Sequence, residues 1–279
     1  MIRFLIESSS DYDVKEAKEK GIEHVSIPIA IGEKTFSDNG SVTKDEFYQM
    51  TQESEEFPKT SQPSPQEFVE VFEKVKEAGD ELICVLLSSG LSGTVQSAAL
   101  AKDMVNYDNI YIVDSLTATY AIKVLVDYGM ELRDKGKTAQ EITDILDEMK
   151  SRVKIYAVLD TLENLYRGGR LSKLEAGIGS LAKIKPLITI TEDGKIGVKA
   201  KSIGKKKALN DIEKLITAEN IDESFPIYSL YSLGTENNET FTDKLSEQGV
   251  EFTDRFQIGP TIGTHIGPGA YGIIFVRKE

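Results

Sequence analysis

Short apolar runs alternate with amphipathic stretches through the first half of the chain. The run at 2–6 (IRFLI) reads as a strand, closed by the polar turn ESSSD and followed by a short amphipathic helix over 14–20. A second extended run covers 24–31. Thr43 with Glu46, and Ser64 with Glu67, each place a hydroxyl three residues ahead of a carboxylate, the pattern of a helix capping box. Pro65 falls at the first helical position after Ser64, where its missing N–H costs nothing. Phe68, Val71, Phe72 and Val75 then share one helical face. ELICVLL and NIYIVD read as buried strands. Helices are expected over 118–135 and 139–152, the second opened by the box Thr138–Glu141.

Such β–α alternation predicts a parallel sheet with helices on both faces, in which ligands sit beyond the C-terminal strand ends. The turns after three of these strands, ESSSD, SSGLSGT and DSLTAT, are all hydroxyl-rich and are expected to open on one edge. The second half has another texture. KIYAVLD leads to a short helical stretch and the irregular TLENLYRGGRL. LITIT and IGVKAK form a hairpin with a short turn at Asp193-Gly194. A helix over 205–219, a strand FPIYSLY, a helix over 236–248 and a strand EFTDRFQI follow. The end, IGPTIGTHIGPGAYGIIFVRK, reads as a Gly/Pro-rich loop running into a last strand. The expected fold is α/β in two domains. Residues 1–155 form a three-layer α/β/α domain with a mostly parallel sheet, and 156–279 an α/β domain with a mixed sheet.

Composition narrows the function. Of 279 residues, 33 are Lys or Arg and 46 Asp or Glu, giving a net charge of −13. That balance argues against nucleic acid and against an anionic membrane surface. No apolar run approaches the ~20 residues that span a bilayer, and the N-terminus lacks the pattern of a signal peptide, so a cytoplasmic protein without stable membrane insertion is expected. One cysteine, Cys84, reads as a buried small hydrophobe. With only two histidines, His24 and His265, the residues argue against a zinc site.

Four stretches carry candidate chemistry. SSGLSGT lies at a strand-to-helix turn. It lacks the Gly-x-Ser-x-Gly of a hydrolase elbow, because Thr94 stands two residues after Ser92, and it lacks the Lys of a P-loop. What remains is an anion cradle of backbone N–H groups with the hydroxyls of Ser92 and Thr94, or a helix cap with no ligand. In TSQPSP, Ser64 is the cap, whereas Thr60 and Ser61 have no local duty and are free to face a site. YRGGRL sets Arg167 and Arg170 around two glycines, either as an exposed turn or as a carboxylate, phosphate or partner contact. Lysines 195, 199, 201, 205, 206 and 207 make a local basic region, a solvated face or a docking surface. His265 lies in IGTHIGPGA, where glycine lets backbone approach a ligand closely.

Taken in order, ESSSD, TSQPSP, SSGLSGT with QSA, VDS, TLENLYRGGRL, IKPL, GKKKAL and IGPTIGTHIGPGA resemble the DegV family of bacterial fatty-acid-binding proteins, over the whole chain. The resemblance implies a two-domain α/β protein that encloses one long-chain fatty acid between its domains, with no cofactor and no metal. It implies no catalysis by this chain alone. An ATP-dependent fatty acid kinase is the expected partner, phosphorylating the carboxylate to acyl phosphate for phospholipid synthesis. Carried over residue by residue, the carboxylate contacts fall on Thr60, Ser92 and His265, with Ser61 and the Gly93 amide beside them. Arg170, with Arg167 near it, falls at the kinase contact. The chain departs from the family's common pattern at Ile6-Glu7, Val95 and 119–121, positions expected beside the acyl tail. A serine-dependent acyl hydrolase using Ser92 and His265 is the alternative, and a regulatory binding module a third.

Overall fold

The computed structural model describes residues 1–172 and 184–279. Its first half builds the parallel sheet. Strand β1 (Ile2–Glu7) is buried from Phe4 onward, and a 3-10 turn, Ser8–Ser10, leads into helix α1 (Val14–Glu19). The 24–31 run is not one segment but two strands in two sheets. β2 (Ile22–Val25) pairs with β1, whereas β3 (Pro28–Ile31) leaves it. Pro28 has no N–H to give a ladder, so the chain turns away there. β3 instead joins β4 (Lys34–Ser37) and the two-residue β5 (Lys59–Thr60) in a small antiparallel sheet that the sequence pattern did not announce.

Helices α2 (Lys44–Glu53) and α3 (Pro65–Ala78) begin at the expected capping boxes, which are formed at Thr43 and Ser64. β6 (Glu81–Leu86), α4 (Thr94–Val105), β7 (Ile110–Asp114), α5 (Tyr120–Asp134) and α6 (Ala139–Met149) complete the first half. The sheet order is β2-β1-β6-β7 and every neighbouring pair is parallel. Its two faces are covered by separate clusters. Phe68, Phe72 and Val75 of α3 and Ala98 and Ala101 of α4 pack on one, with Cys84 buried among them. Leu125 of α5 and Ile142 and Leu146 of α6 pack on the other. The three hydroxyl-rich turns therefore open on one edge.

The second half builds a mixed sheet. β8 (Val153–Val158) and the short helix α7 (Glu163–Arg167) precede the hairpin of β9 (Ile184–Ile190) and β10 (Ile196–Ile203). Then come α8 (Lys205–Thr217), β11 (Tyr228–Tyr231), α9 (Glu236–Ser246), β12 (Asp254–Gln257), α10 (Pro260–Ile266) and β13 (Tyr271–Val276). The order is β10-β9-β8-β13-β11-β12, antiparallel except between β11 and β12. Residues of α8 and α9 cover one face, with Tyr156, Val158 and Phe275 beneath them. The other face, carrying Ile155, Ala157, Ile188 and Leu230, turns toward the first half. β8 lies wholly in this sheet, so we propose that the two units divide in the turn at 150–152.

One expectation fails here. The stretch before β13, read as a loop, contains helix α10. Pro260 starts it at the first helical position, and Gly267, with φ of 72°, ends it. Glycine and proline are helix breakers inside a helix but boundary markers at its ends, and a composition count does not separate the two.

Candidate functional site

A cavity lies between the C-terminal edge of the parallel sheet and the inward face of the mixed sheet. Its floor is Ile155, Ala157, Ile188 and Leu230, and its roof includes Ile27, Leu87, Leu91 and Ala118. It is narrow, with about 840 Å³ of space free of protein atoms, mouth included. Three threonines on its walls spend their hydroxyls elsewhere. Thr119 Oγ1 donates to Asp11, Thr261 Oγ1 to Asp38 and Thr189 Oγ1 to the Ile190 carbonyl. The lumen is correspondingly apolar along most of its length.

Among the described residues, the polar groups left to face the lumen gather in one cluster. Thr60, Ser61, Gln62, Ser92, Arg170 and His265 all line the same cavity. Thr60 Oγ1 and His265 Nε2 are 2.8 Å apart, and Ser92 Oγ is 2.9 Å from Thr94 Oγ1. His265 Nδ1 is buried and has no hydrogen-bond partner among the described residues. An orphan N–H there is costlier than a bare lone pair, which puts the ring proton on Nε2. Nε2–H then donates to Thr60 Oγ1, and the Thr60 hydroxyl proton is free to point at an acceptor in the cavity. The arrangement offers O–H donors to an anion beside an apolar lumen, with the Arg170 guanidinium lining the same cavity.

The sequence profile of the DegV family ("Uncharacterised protein, DegV family") matches residues 1–278. The chain belongs to the DegV family. It is 36% identical over 279 residues to a DegV domain-containing protein of Caldanaerobacter subterraneus, covering 99% of each chain. DegV of Bacillus subtilis, described as a fatty acid binding protein, superposes with a TM-score of 0.84 at 31% identity over 99% of both chains. A stearic acid-binding protein of Eubacterium ventriosum superposes at 0.88 and 26% identity, covering 100% of this chain and 99% of the other. The family and the α/β fold with a parallel and a mixed sheet stand as the sequence led us to expect.

In this DegV chain the remaining candidates fall in different places. Gly93 stands at the start of α4 with Gln62 against it, so that a side chain there would land on the Gln62 amide. Arg170 is half-buried, donating from Nε to the Leu91 carbonyl at 2.9 Å and from Nη1 to the Gly168 carbonyl at 2.5 Å. Arg167 is exposed, outside the cavity lining, and pairs with Glu163 at 2.6 Å. Lysines 199 and 201 lie on β10, an edge strand, where charge also blunts pairing with another chain. Lysines 205, 206 and 207 open α8, and Lys207 bonds Asp211 at 3.0 Å.

Of the departures expected beside the tail, only Thr119 lines the cavity. Glu7 is fully buried at the end of β1, accepting from the Ser9 N–H, the Ser9 hydroxyl and the Leu87 N–H. Val95 packs on the α3–α4 side of the sheet. Both serve the scaffold instead, since a carboxylate bonded at a strand end and a valine on the far face have no route to the lumen.

Two features of the site were missed in the sequence. Gly168 backs His265: a Cβ there would land on Nδ1. Ser88 Oγ donates to the Gly194 carbonyl at 2.7 Å, tying the SSGLSGT turn to the tip of the β9–β10 hairpin. The paired glycines were the available signal for the first. Nothing local signals the second.

Burial, helped by the charge of Arg170, depresses the His265 pKa to about 3, and burial takes His24 to about 4. An unfolded histidine titrates near 6.5, so only the unfolded chain takes up these protons as the pH falls. Their contribution to stability is whole above about pH 6.5 and declines toward about pH 3. Asp11 works in the opposite sense, because burial pushes its carboxyl up to about 7 and the folded chain holds the proton first. His265→Gln is expected to reduce the loss of denaturation midpoint between about pH 7 and about pH 4.5. An unchanged loss in urea titrations of the variant would show that His265 is already charged in the fold.

Proposed function

We propose that this chain binds one long-chain fatty acid in the cavity and presents its carboxylate to an ATP-dependent fatty acid kinase in the cytoplasm. The kinase transfers the γ-phosphoryl group of ATP to a carboxylate oxygen, giving acyl phosphate for phospholipid synthesis and ADP. One observation carries the reading: a narrow apolar slot whose polar donors, among the described residues, gather at one cluster. Each buried methylene contributes about 0.8 kcal/mol, so a stearoyl tail supplies about 13 kcal/mol gross, before the cost of ordering it. The tail supplies affinity and the cluster supplies orientation. Thr60, Ser61, Ser92 and His265 hold the carboxylate, with the Gly93 amide as a further donor. Hydroxyl donors suit a group that must be phosphorylated and released, and Arg170, whose Nε and Nη1 donate to the Leu91 and Gly168 carbonyls, is not set as a bidentate clamp on it.

The same geometry favours a carrier over a hydrolase. Ser92 Oγ is engaged by Thr94 and His265 Nε2 by Thr60, and among the described residues no hydrogen bond joins Ser92 to His265. Among the described residues, no acid bonds Nδ1 to orient the ring as a triad requires. Lipid extraction and mass spectrometry of gently purified protein test the reading. A stoichiometric long-chain fatty acid is expected. An empty protein that also refuses loading would sink it, and ester turnover lost in Ser92→Ala would promote the hydrolase.

Ser92→Ala is expected to weaken fatty acid binding by about tenfold, one charged hydrogen bond's worth, and to slow kinase turnover. Arg170 and Arg167 are assigned to the kinase contact. For Arg170→Ala, phosphorylation in a reconstituted assay is expected to fall further than fatty acid affinity. Equal losses would remove this division of roles.

A further inference from the structure

Among the described residues, Thr119 has the least expected backbone. It is β-branched, yet its φ of 53° and ψ of −149° lie where side chains are disfavoured. Two bonds hold it there: its N–H donates to the Ser9 carbonyl at 2.8 Å and its Oγ1 to Asp11 Oδ2 at 2.5 Å. Asp11 is itself left-handed, with φ of 53°, and buried. Its other oxygen, Oδ1, accepts the Gly259 N–H at 3.0 Å. Gly259 is the residue before α10, and any side chain there would land on Asp11 Oδ1. One carboxylate thus joins a wall of the cavity, Thr119, to the start of the helix that carries His265.

Other groups support the same helix. Asp38 Oδ2 accepts from the Thr261 N–H and hydroxyl at 3.0 and 2.6 Å, and the Tyr48 hydroxyl donates to the Ile258 carbonyl at 3.0 Å. Lys44 donates to the Tyr120 hydroxyl and the Gln257 carbonyl, and its charge acts on Asp11. Asp11 differs from Asp38 and Tyr48 in tying the start of α10 to Thr119, a lining residue from another part of the chain. A buried carboxylate and a strained threonine in one contact each cost stability, and such costs collect where geometry matters.

We propose that Asp11 is a positioning residue for the head-group site: by holding Thr119 and the start of α10 together, it sets the His265–Thr60 pair relative to the tail channel. The inference rests on the fatty-acid reading above. It predicts that losing Asp11 disturbs recognition of the carboxylate more than burial of the tail.

The test uses the full chain with stearic acid and stearyl alcohol as probes. The alcohol has the same tail without the carboxylate. Asp11→Ala removes both ties, whereas Asp11→Asn keeps the size and one acceptor oxygen. Asp11→Ala is expected to weaken stearic acid about tenfold while stearyl alcohol changes less than about twofold. It is also expected to shift the NMR resonance of an isotope-labelled carboxyl group. Asp11→Asn is expected to lie between wild type and Asp11→Ala in the acid-to-alcohol ratio, although relief of the buried charge raises its melting temperature. A merely structural role predicts equal weakening of acid and alcohol, or binding that tracks stability, and either result overturns the proposal. If Asp11→Ala does not fold, the ratio measured in Asp11→Asn decides. A wild-type protein that binds neither probe overturns the fatty-acid reading and this inference together. Wild-type binding with an unchanged ratio in the variants overturns this inference alone.

Discussion

Ala157→Phe is expected to abolish binding of a long acyl chain while leaving the fold in place. Ala157 lies on β8 in the cavity floor, directly opposite Gly272 of β13. A Cβ at 272 would come within 2.9 Å of the Ala157 Cβ, so this cross-strand pair is small on both sides and keeps the channel open at mid-sheet. A phenyl ring there takes the space of about five methylenes and removes about 4 kcal/mol of tail burial, on the order of a thousandfold in affinity. The ring enters an existing void, so the overpacking cost should stay within about 1–3 kcal/mol. Native mass spectrometry for bound lipid, paired with thermal unfolding, separates the two effects. A variant that retains a full-length fatty acid at wild-type affinity would mean that the tail runs elsewhere.

The second large effect is expected at Gly168. Its φ is negative, so alanine is allowed by the backbone and the penalty is steric alone. The new methyl group would fall on His265 Nδ1 and lie 3.1 Å from the Asn164 carbonyl. His265 is 9% exposed and lines the cavity, so its ring can retreat into the binding space. The ring must move, the 2.8 Å contact with Thr60 breaks, and Thr60 loses the partner that orients its hydroxyl. Fatty acid affinity is expected to fall by about 10–100-fold, one to two hydrogen bonds to a charged group. Gly169→Ala is the control. Gly169 has φ of 74° and no described residue against its Cβ position, so alanine there costs about 1 kcal/mol of stability and little affinity. If the adjacent substitutions reversed these outcomes, the assignment of Gly168 to the site would be wrong.

The pair of glycines illustrates how a sequence is read and misread. GG marks a turn, and Gly169 supplies the left-handed residue that a turn needs. Gly168 is there for a different reason, the approach of a histidine 97 positions later in the chain, which local pattern does not encode. The terminal IGPTIGTHIGPG failed in a related way. Its glycines and prolines bound a seven-residue helix, and that helix is set by tertiary partners, Asp11 at Gly259 and Asp38 at Thr261, more than by propensity. The 24–31 run was divided by Pro28 for a reason that is local, and a stricter reading of that proline would have found it.

The sequence by itself determined the helix starts at Thr43, Ser64 and Thr138, because a capping box is complete within four residues. It determined the parallel sheet and the common edge of its turns, because burial on both faces writes itself into strand composition and β–α alternation. The ordered motifs were enough to indicate the family. Only the tertiary structure decided which hydroxyls face the cavity. Thr119, Thr189 and Thr261 turn theirs onto protein partners, whereas Thr60 meets a histidine 205 residues away. A hydroxyl's direction depends on the nearest acceptor in space, and for most of these threonines that acceptor comes from a distant part of the chain.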